Sequence, residues 1–346
     1  MYTMSSIPRV FLISAFGALL ITPFLEQLAI KWKVLDFPDE RKIHKKAIPR
    51  LGGVAVFISF LFALGKFSLE VSSLKGIMLG GGLIFLIGLI DDVRALGAKV
   101  KLGGQVIAAL ILIHQGIILS FFPATFLGKM TAVILTIVWL VGITNSLNFL
   151  DGMDGLAAGM AAVASLTFLI ITVKTDQIFL AVAASALLGS CLGFLPYNFH
   201  PARIFLGDAG STFLGFILAS FAVMGGWAEK NFFVALGTPL VILGILVFDL
   251  IYITVSRISL GKVKNFWQWI EYVGRDHIHH RLLNLGFSQR QTVLTIYSIG
   301  IYLGISGVIL NGAGPLWVFP VFIQVFLMFM VITVLMTAGR RKVKNN

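Results

Sequence analysis

Charge is scarce in this chain. Of its 346 residues only 12% are Asp, Glu, Lys or Arg, while 58% are apolar and the mean hydropathy is +0.96. A soluble domain is about half apolar and about a quarter charged, so this composition excludes a water-soluble globule. Cysteine is nearly missing, and the single Cys191 rules out an internal disulfide. No Walker loop, Rossmann fingerprint or Ser-His-Asp order is present. Nothing reads as a cleaved signal peptide, because the first apolar run is long enough to cross a bilayer by itself. No internal repeat or separate soluble segment is visible, and residues 1–346 read as one integral-membrane domain. The net charge of +12 would point to nucleic acid in a soluble protein. In a membrane protein it records Lys and Arg on cytoplasmic loops, so no nucleic-acid partner is expected.

What the chain has instead is apolar runs. A spanning helix takes about 20 residues across a hydrocarbon core about 30 Å thick. Runs at 7–30, 51–69, 76–91, 102–122, 128–147, 155–173, 177–196, 209–227, 232–255, 292–310 and 315–338 predict an all-α polytopic membrane protein of about eleven transmembrane helices. The basic tail Arg340-Arg341-Lys342-Val343-Lys344 places the C-terminus in the cytoplasm. Twenty-one of the 27 Lys and Arg residues then fall in that tail or in the loops 31–50, 92–101, 148–154, 197–208 and 256–291. Every polar motif lies on the same cytoplasmic face. A transporter would sooner keep its acids near the bilayer midplane.

The central stretch runs Asn148-Phe149-Leu150-Asp151-Gly152-Met153-Asp154-Gly155. Asp151 and Asp154 share a face if the segment is helical, and the two glycines argue for a tight turn with close backbone approach. Hard oxygen ligands there suit a divalent metal and a phosphate; an ordinary acidic turn between two helices is the plainer reading. Asp36 to Gly53 reads as a positive-inside loop, shaped by two prolines and Gly52-Gly53. Asp91-Asp92 closes the third run, with Lys101 beyond it. The pair is either a cap or ion pair with Arg94 or Lys99, or a partner to an interfacial phosphate whose charge Lys101 neutralises. Asp208, between Gly207 and Gly210-Ser211, is either an N-cap or a metal ligand, and the glycine-rich helix start offers backbone amides to phosphate. His277-Ile278-His279-His280-Arg281 lacks the further ligands that zinc needs, so phosphate or sugar binding by His279, His280 and Arg281 fits better. His114 reads as a satisfied core histidine and Asp249 as a brace for a neighbour.

Five ordered motifs resemble the polyprenyl-phosphate N-acetylhexosamine-1-phosphate transferases, closest to their WecA/TagO-like branch and more distantly MraY. They are Pro49-Arg50-Leu51-Gly52-Gly53, Asp91-Asp92, Asn148 to Gly155, Asn198 to Asp208, and His277 to His280. The resemblance implies transfer of N-acetylglucosamine-1-phosphate from a UDP-sugar donor to undecaprenyl phosphate, with release of UMP. It implies active-site loops on the cytoplasmic side of a bacterial plasma membrane, in cell-envelope polysaccharide synthesis, and it allows a homodimer. Magnesium is the implied cofactor, with manganese as a substitute, held by Asp208 and Asn148. Asp91, with Asp92 beside it, matches the acid proposed to deprotonate or orient the lipid phosphate, and Lys101 a phosphate contact. Asp151, Asp154, Asn198, Phe205 and Gly207 match the uridine region. His279, His280 and Arg281 match the sugar and pyrophosphate contact. MraY typically carries three consecutive histidines; Ile278 interrupts them here, which favours N-acetylglucosamine over a muramoyl-pentapeptide donor.

Overall fold

The computed structural model describes residues 3–38, 46–65, 72–228, 231–272, 274–312 and 315–345. The basic stretch 39–45 of the first loop therefore lies outside the described residues. Two compact units divide the chain, 1–226 and 227–346. The first holds α1 (Ser6–Lys31), β1 (Leu35–Asp36), β2 (Ile48–Pro49), α2 (Gly52–Leu64), α3 (Ser72–Arg94) and α4 (Ala98–His114). It continues through α5 (Phe126–Leu150), α6 (Leu156–Lys174), α7 (Ile178–Asn198) and α8 (Gly207–Met224). The second holds α9 (Phe232–Ile242), α10 (Gly244–Ser259), α11 (Phe266–Glu271), α12 (Ile278–Asn284), α13 (Gln289–Gly312) and α14 (Pro315–Asn345).

Among the described residues eight helices are long and apolar enough to cross a membrane, or nine if α9 and α10 form one span bent by 80°. The eleven spans expected from hydropathy are thus not all present as full-length helices. Among the described residues the apolar run 51–69 gives the 13 residues of α2, which stops at Gly65 with φ +52°. The run 102–122 is cut after His114, where Gly116 takes φ +82°. A positive φ ends a right-handed helix whatever the hydropathy around it. Pro239 and Gly244 flank the α9–α10 bend, and both residue types loosen helical hydrogen bonding.

Small residues set the packing of the first unit, as expected where lipid offers no hydrophobic drive and helices gain by close approach. Gly189 and Gly193 of α7 face Ser14, Ala15 and Ala18 of α1. Ser185 Oγ and Tyr197 Oη then donate to the α1 carbonyls of Ile7 and Leu19 at 2.8 and 3.0 Å. The most buried span is α8. Gly88 of α3 and Gly53 of α2 lie against its first turn, and its Gly215 lies against Thr144 of α5. The centre of the unit is therefore the helix that begins at Gly207.

The short β1–β2 ribbon pairs Leu35 with Pro49 and Asp36 with Ile48. Beyond it the backbone docks on the residues that precede α8: Phe205 N donates to Pro49 O at 2.8 Å, and Gly52 N and Gly53 N donate to Phe205 O and Leu206 O at 2.9 and 2.8 Å. A Cβ on Gly53 would land on the Gly210 backbone and 2.8 Å from Leu206 O. Gly53→Ala is expected to destabilise the unit by about 1–3 kcal/mol, the usual cost of overpacking. A melting temperature equal to that of the unaltered protein would show that this backbone seam is not as close as described.

Candidate active site

The first residues of α8 collect side chains from four other segments. Asp92, at the end of α3, is 0% exposed and accepts from Asp208 N at 2.8 Å and Ala209 N at 2.9 Å. It therefore caps α8 from another helix, satisfying amides that a helix start leaves unpaired. Gly207 sits at φ +74°, and a Cβ there would lie 2.6 Å from Asp92 Oδ2. Asp208 is therefore not the cap of its own helix, and Asp92 takes the amides of Asp208 and Ala209.

The Asp208 carboxylate, 16% exposed, lies between two cations. Lys101 Nζ lies 3.0 Å from its Oδ2 and 2.9 Å from Asp91 Oδ2. Arg50 Nη2 lies 2.9 Å from its Oδ1, while Arg50 Nε is 3.1 Å from Asp92 and Nη1 is 3.6 Å from Asp36. Asp91 also accepts from Leu96 N at 2.5 Å, which fixes the α3–α4 turn. Burial works against the charge on Arg50, but Asp92, Asp208 and Asp36 outweigh it and hold the guanidinium above its ordinary range. Arg50 was readable as part of a motif, yet its charge was hidden in an ordinary positive-inside loop.

Residues 151–155 form turns, not a helix, so Asp151 and Asp154 part company. Asp151 is half-buried; burial first, and then the nearby Asp208, push its carboxyl well above the usual range. Asp154 instead accepts from Ala202 N at 3.1 Å and pairs with His200 Nδ1 at 2.7 Å. Gly155 takes φ +78° to start α6. Asn198 Nδ2 donates to Ile204 O at 3.0 Å, folding the loop that carries the half-buried Phe205, while its buried Oδ1 has no partner among the described residues. Asn148 is half-buried in the last turn of α5, and its carbonyl accepts from Asp151 N at 3.1 Å. His114 is exposed at the end of α4, not a core histidine, because α4 ends there.

Among the described residues, five carboxylates (Asp36, Asp91, Asp92, Asp151 and Asp208) thus gather around two cations, Arg50 and Lys101. That excess, made of hard oxygen donors, fits a magnesium-type ion, which takes one or two carboxylates and fills its shell with water and phosphate oxygens. Among the described residues no group of three His, Cys, Asp or Glu could hold a metal. A site built only of protein ligands, such as structural zinc, does not fit.

His279, His280 and Arg281 lie in the second unit, with His277 at the start of α12. Asp249 accepts from His277 Nδ1 at 2.6 Å and from Ile278 N at 2.9 Å, so it is the brace expected from its sequence setting. Arg281 Nε donates to Asp276 O at 3.3 Å. Burial, then the neighbouring histidines, lower His279 well below its ordinary pKa; burial, then His277 and Arg275, lower His280 to about 4. A histidine held neutral in the fold binds its proton more readily once unfolded, so stability falls as pH drops from about 6.5 towards 4. Melting of the purified protein is expected to move to lower temperature over that window. A flat profile between pH 7 and 4.5 would contradict the buried, neutral state of these rings.

Apolar helices, with acids and bases gathered at helix ends, define a polytopic membrane protein acting on a charged group. The family model described as Glycosyl transferase family 4 matches residues 74–226. A probable undecaprenyl-phosphate N-acetylglucosaminyl 1-phosphate transferase of Bacillus subtilis is 35% identical over 92% of this chain and 89% of its own length. A decaprenyl-phosphate N-acetylglucosaminephosphotransferase of Mycolicibacterium smegmatis is 33% identical over 80% of this chain and 75% of its own. A phospho-N-acetylmuramoyl-pentapeptide-transferase of Desulforudis audaxviator is 30% identical over 88% and 97%. The chain belongs to glycosyl transferase family 4, in the WecA/TagO-like branch of the polyprenyl-phosphate N-acetylhexosamine-1-phosphate transferases.

Proposed function

We propose that the protein transfers N-acetylglucosamine-1-phosphate from UDP-N-acetylglucosamine to undecaprenyl phosphate, giving the lipid-linked pyrophosphoryl sugar and UMP. The observation that carries this reading is the Asp208 carboxylate held between Lys101 and Arg50 at the start of the central helix. The relatives named for N-acetylglucosamine-phosphate transfer support the donor, as does the His277-Ile278-His279-His280 order. Lysine and arginine excess in the motif-bearing loops supports a site on the cytoplasmic side of a bacterial plasma membrane.

A phosphate oxygen of the lipid attacks the β-phosphorus of the donor. The bond from that phosphorus to the oxygen bridging the α-phosphate breaks, and UMP departs with the electron pair. Phosphate monoesters are largely ionised near neutrality, with a second pKa of about 6, so the attacking oxygen needs no base. The work of Asp91 is then to hold Lys101, and Lys101 and Arg50 neutralise charge on the phosphates as they align. Asp208 and, by the family resemblance, Asn148 would hold magnesium, which when bound would screen the pyrophosphate charge. Asp151, Asp154, Asn198, Phe205 and Gly207 shape the uridine side; His279, His280 and Arg281 of the second unit are the residues that the family resemblance assigns to the sugar and pyrophosphate.

Detergent-purified protein tests this directly. UMP release is expected only with the UDP-sugar, undecaprenyl phosphate and magnesium all present. Release without the lipid would indicate hydrolysis, and uptake of substrate into vesicles without release would favour a transporter.

A further inference from the structure

A second polar knot, in the second unit, is more heavily built than its place in apolar helices requires. Asp249 of α10 is 1% exposed. A carboxylate so withdrawn persists where it is fully paired, and both of its oxygens are used, on His277 Nδ1 and Ile278 N. Those two donors come from adjacent residues at the start of α12. On the far side of the ring, His277 Nε2 meets Arg257 Nη2 at 3.5 Å. A guanidinium only donates, so Nε2 presents its lone pair and the ring proton sits on Nδ1, facing Asp249.

Arg257 is itself fixed. Its Nε and Nη2 lie 2.9 and 2.7 Å from the two oxygens of Asp276, and its guanidinium lies 4.7 Å over the Tyr272 ring. His279 differs. It is 1% exposed, and neither of its ring nitrogens has a hydrogen-bond partner among the described residues. It stacks on His277 at 5.9 Å with planes 10° apart and leans on His280 at 4.2 Å. The orientation of the cluster is therefore handed on from His277.

We infer that Asp249 is a positioning residue: by holding His277 Nδ1 and Ile278 N together it sets the orientation of His279, His280 and Arg281 towards the nucleotide-sugar donor. This rests on the phosphotransferase reading for its substrate, though not for its geometry.

The test pairs nitrogen-15 histidine NMR of the full-length purified chain with separate KM values for donor and lipid. The wild type is expected to show His277 as the Nδ1–H tautomer, and Asp249→Asn to lose that preference. Asp249→Asn should raise the donor KM about tenfold, the scale of one hydrogen bond to a charged group, and leave the lipid KM unchanged. His277→Asn, which removes the ring that His279 stacks on, should raise the donor KM in the same way and leave the lipid KM unchanged. If Asp249→Asn cannot be recovered folded, the wild-type tautomer and His277→Asn decide. An Nε2–H tautomer in the wild type would overturn the inference. So would equal rises in both KM values, or a His277→Asn variant whose donor KM matches the wild type. A wild type that releases no UMP would sink the functional reading, and the tautomer would still decide the Asp249–His277 assignment.

Discussion

Asp208→Asn is expected to reduce UMP release by about a thousandfold, the scale seen when a group aimed at transition-state charge is removed. The carboxamide keeps the shape of the side chain and leaves the Asp92 cap on the backbone amides untouched. What it removes is the charge that faces Lys101 at 3.0 Å and Arg50 at 2.9 Å. The variant should therefore insert, purify and melt much as the parent does, with the loss confined to turnover. Raising magnesium should recover part of that loss if the missing function is to hold the ion. Turnover equal to wild type at limiting magnesium would remove Asp208 from the site.

Asp92→Ala should fail differently. That carboxylate is 0% exposed, receives two helix-start amides and meets Arg50 Nε at 3.1 Å. Its removal uncaps the central helix and takes one carboxylate from Arg50, which keeps Asp208 and Asp36; a buried donor left without its acceptor costs about 1–3 kcal/mol. The melting temperature should fall steeply, and activity with it. Asp91→Ala is the control. Asp91 meets Lys101, the α3–α4 turn and the Asp208 carboxylate but takes none of the α8 amides, so it should lose turnover with less change in melting than Asp92→Ala. Two neighbouring aspartates then separate into one that builds the site and one that serves it. An Asp92→Ala protein that melts like wild type would contradict the capping role.

This division was not legible in the sequence. Asp91-Asp92 reads as a pair, and only the direction of each side chain from the end of α3 shows which one reaches the α8 amides. Arg50 was masked by the basic residues around it, since a positive-inside loop accounts for its charge without any partner. The acids themselves were legible, because carboxylates at the ends of apolar helices are costly unless used. The membrane class followed from composition for the same reason. Hydropathy overstated the number of full spans at α2 and α4, where Gly65 and Gly116 adopt positive φ within apolar runs. The turn at 151–155 likewise separated Asp151 from Asp154, which helical spacing would have paired. Asp249 was legible as a brace, since a lone acid in an apolar helix needs a partner; the identity of that partner, 28 residues away, was not.

The most direct test of the central claim is the fate of the donor's β-phosphorus. UDP-N-acetylglucosamine labelled at that atom is incubated with the purified protein, undecaprenyl phosphate and magnesium, and lipid and aqueous fractions are separated. Phosphate transfer predicts the label in the lipid and unlabelled UMP in the water. Release of labelled UDP, with sugar but no label on the lipid, would show glycosyl transfer without phosphate and would contradict the account.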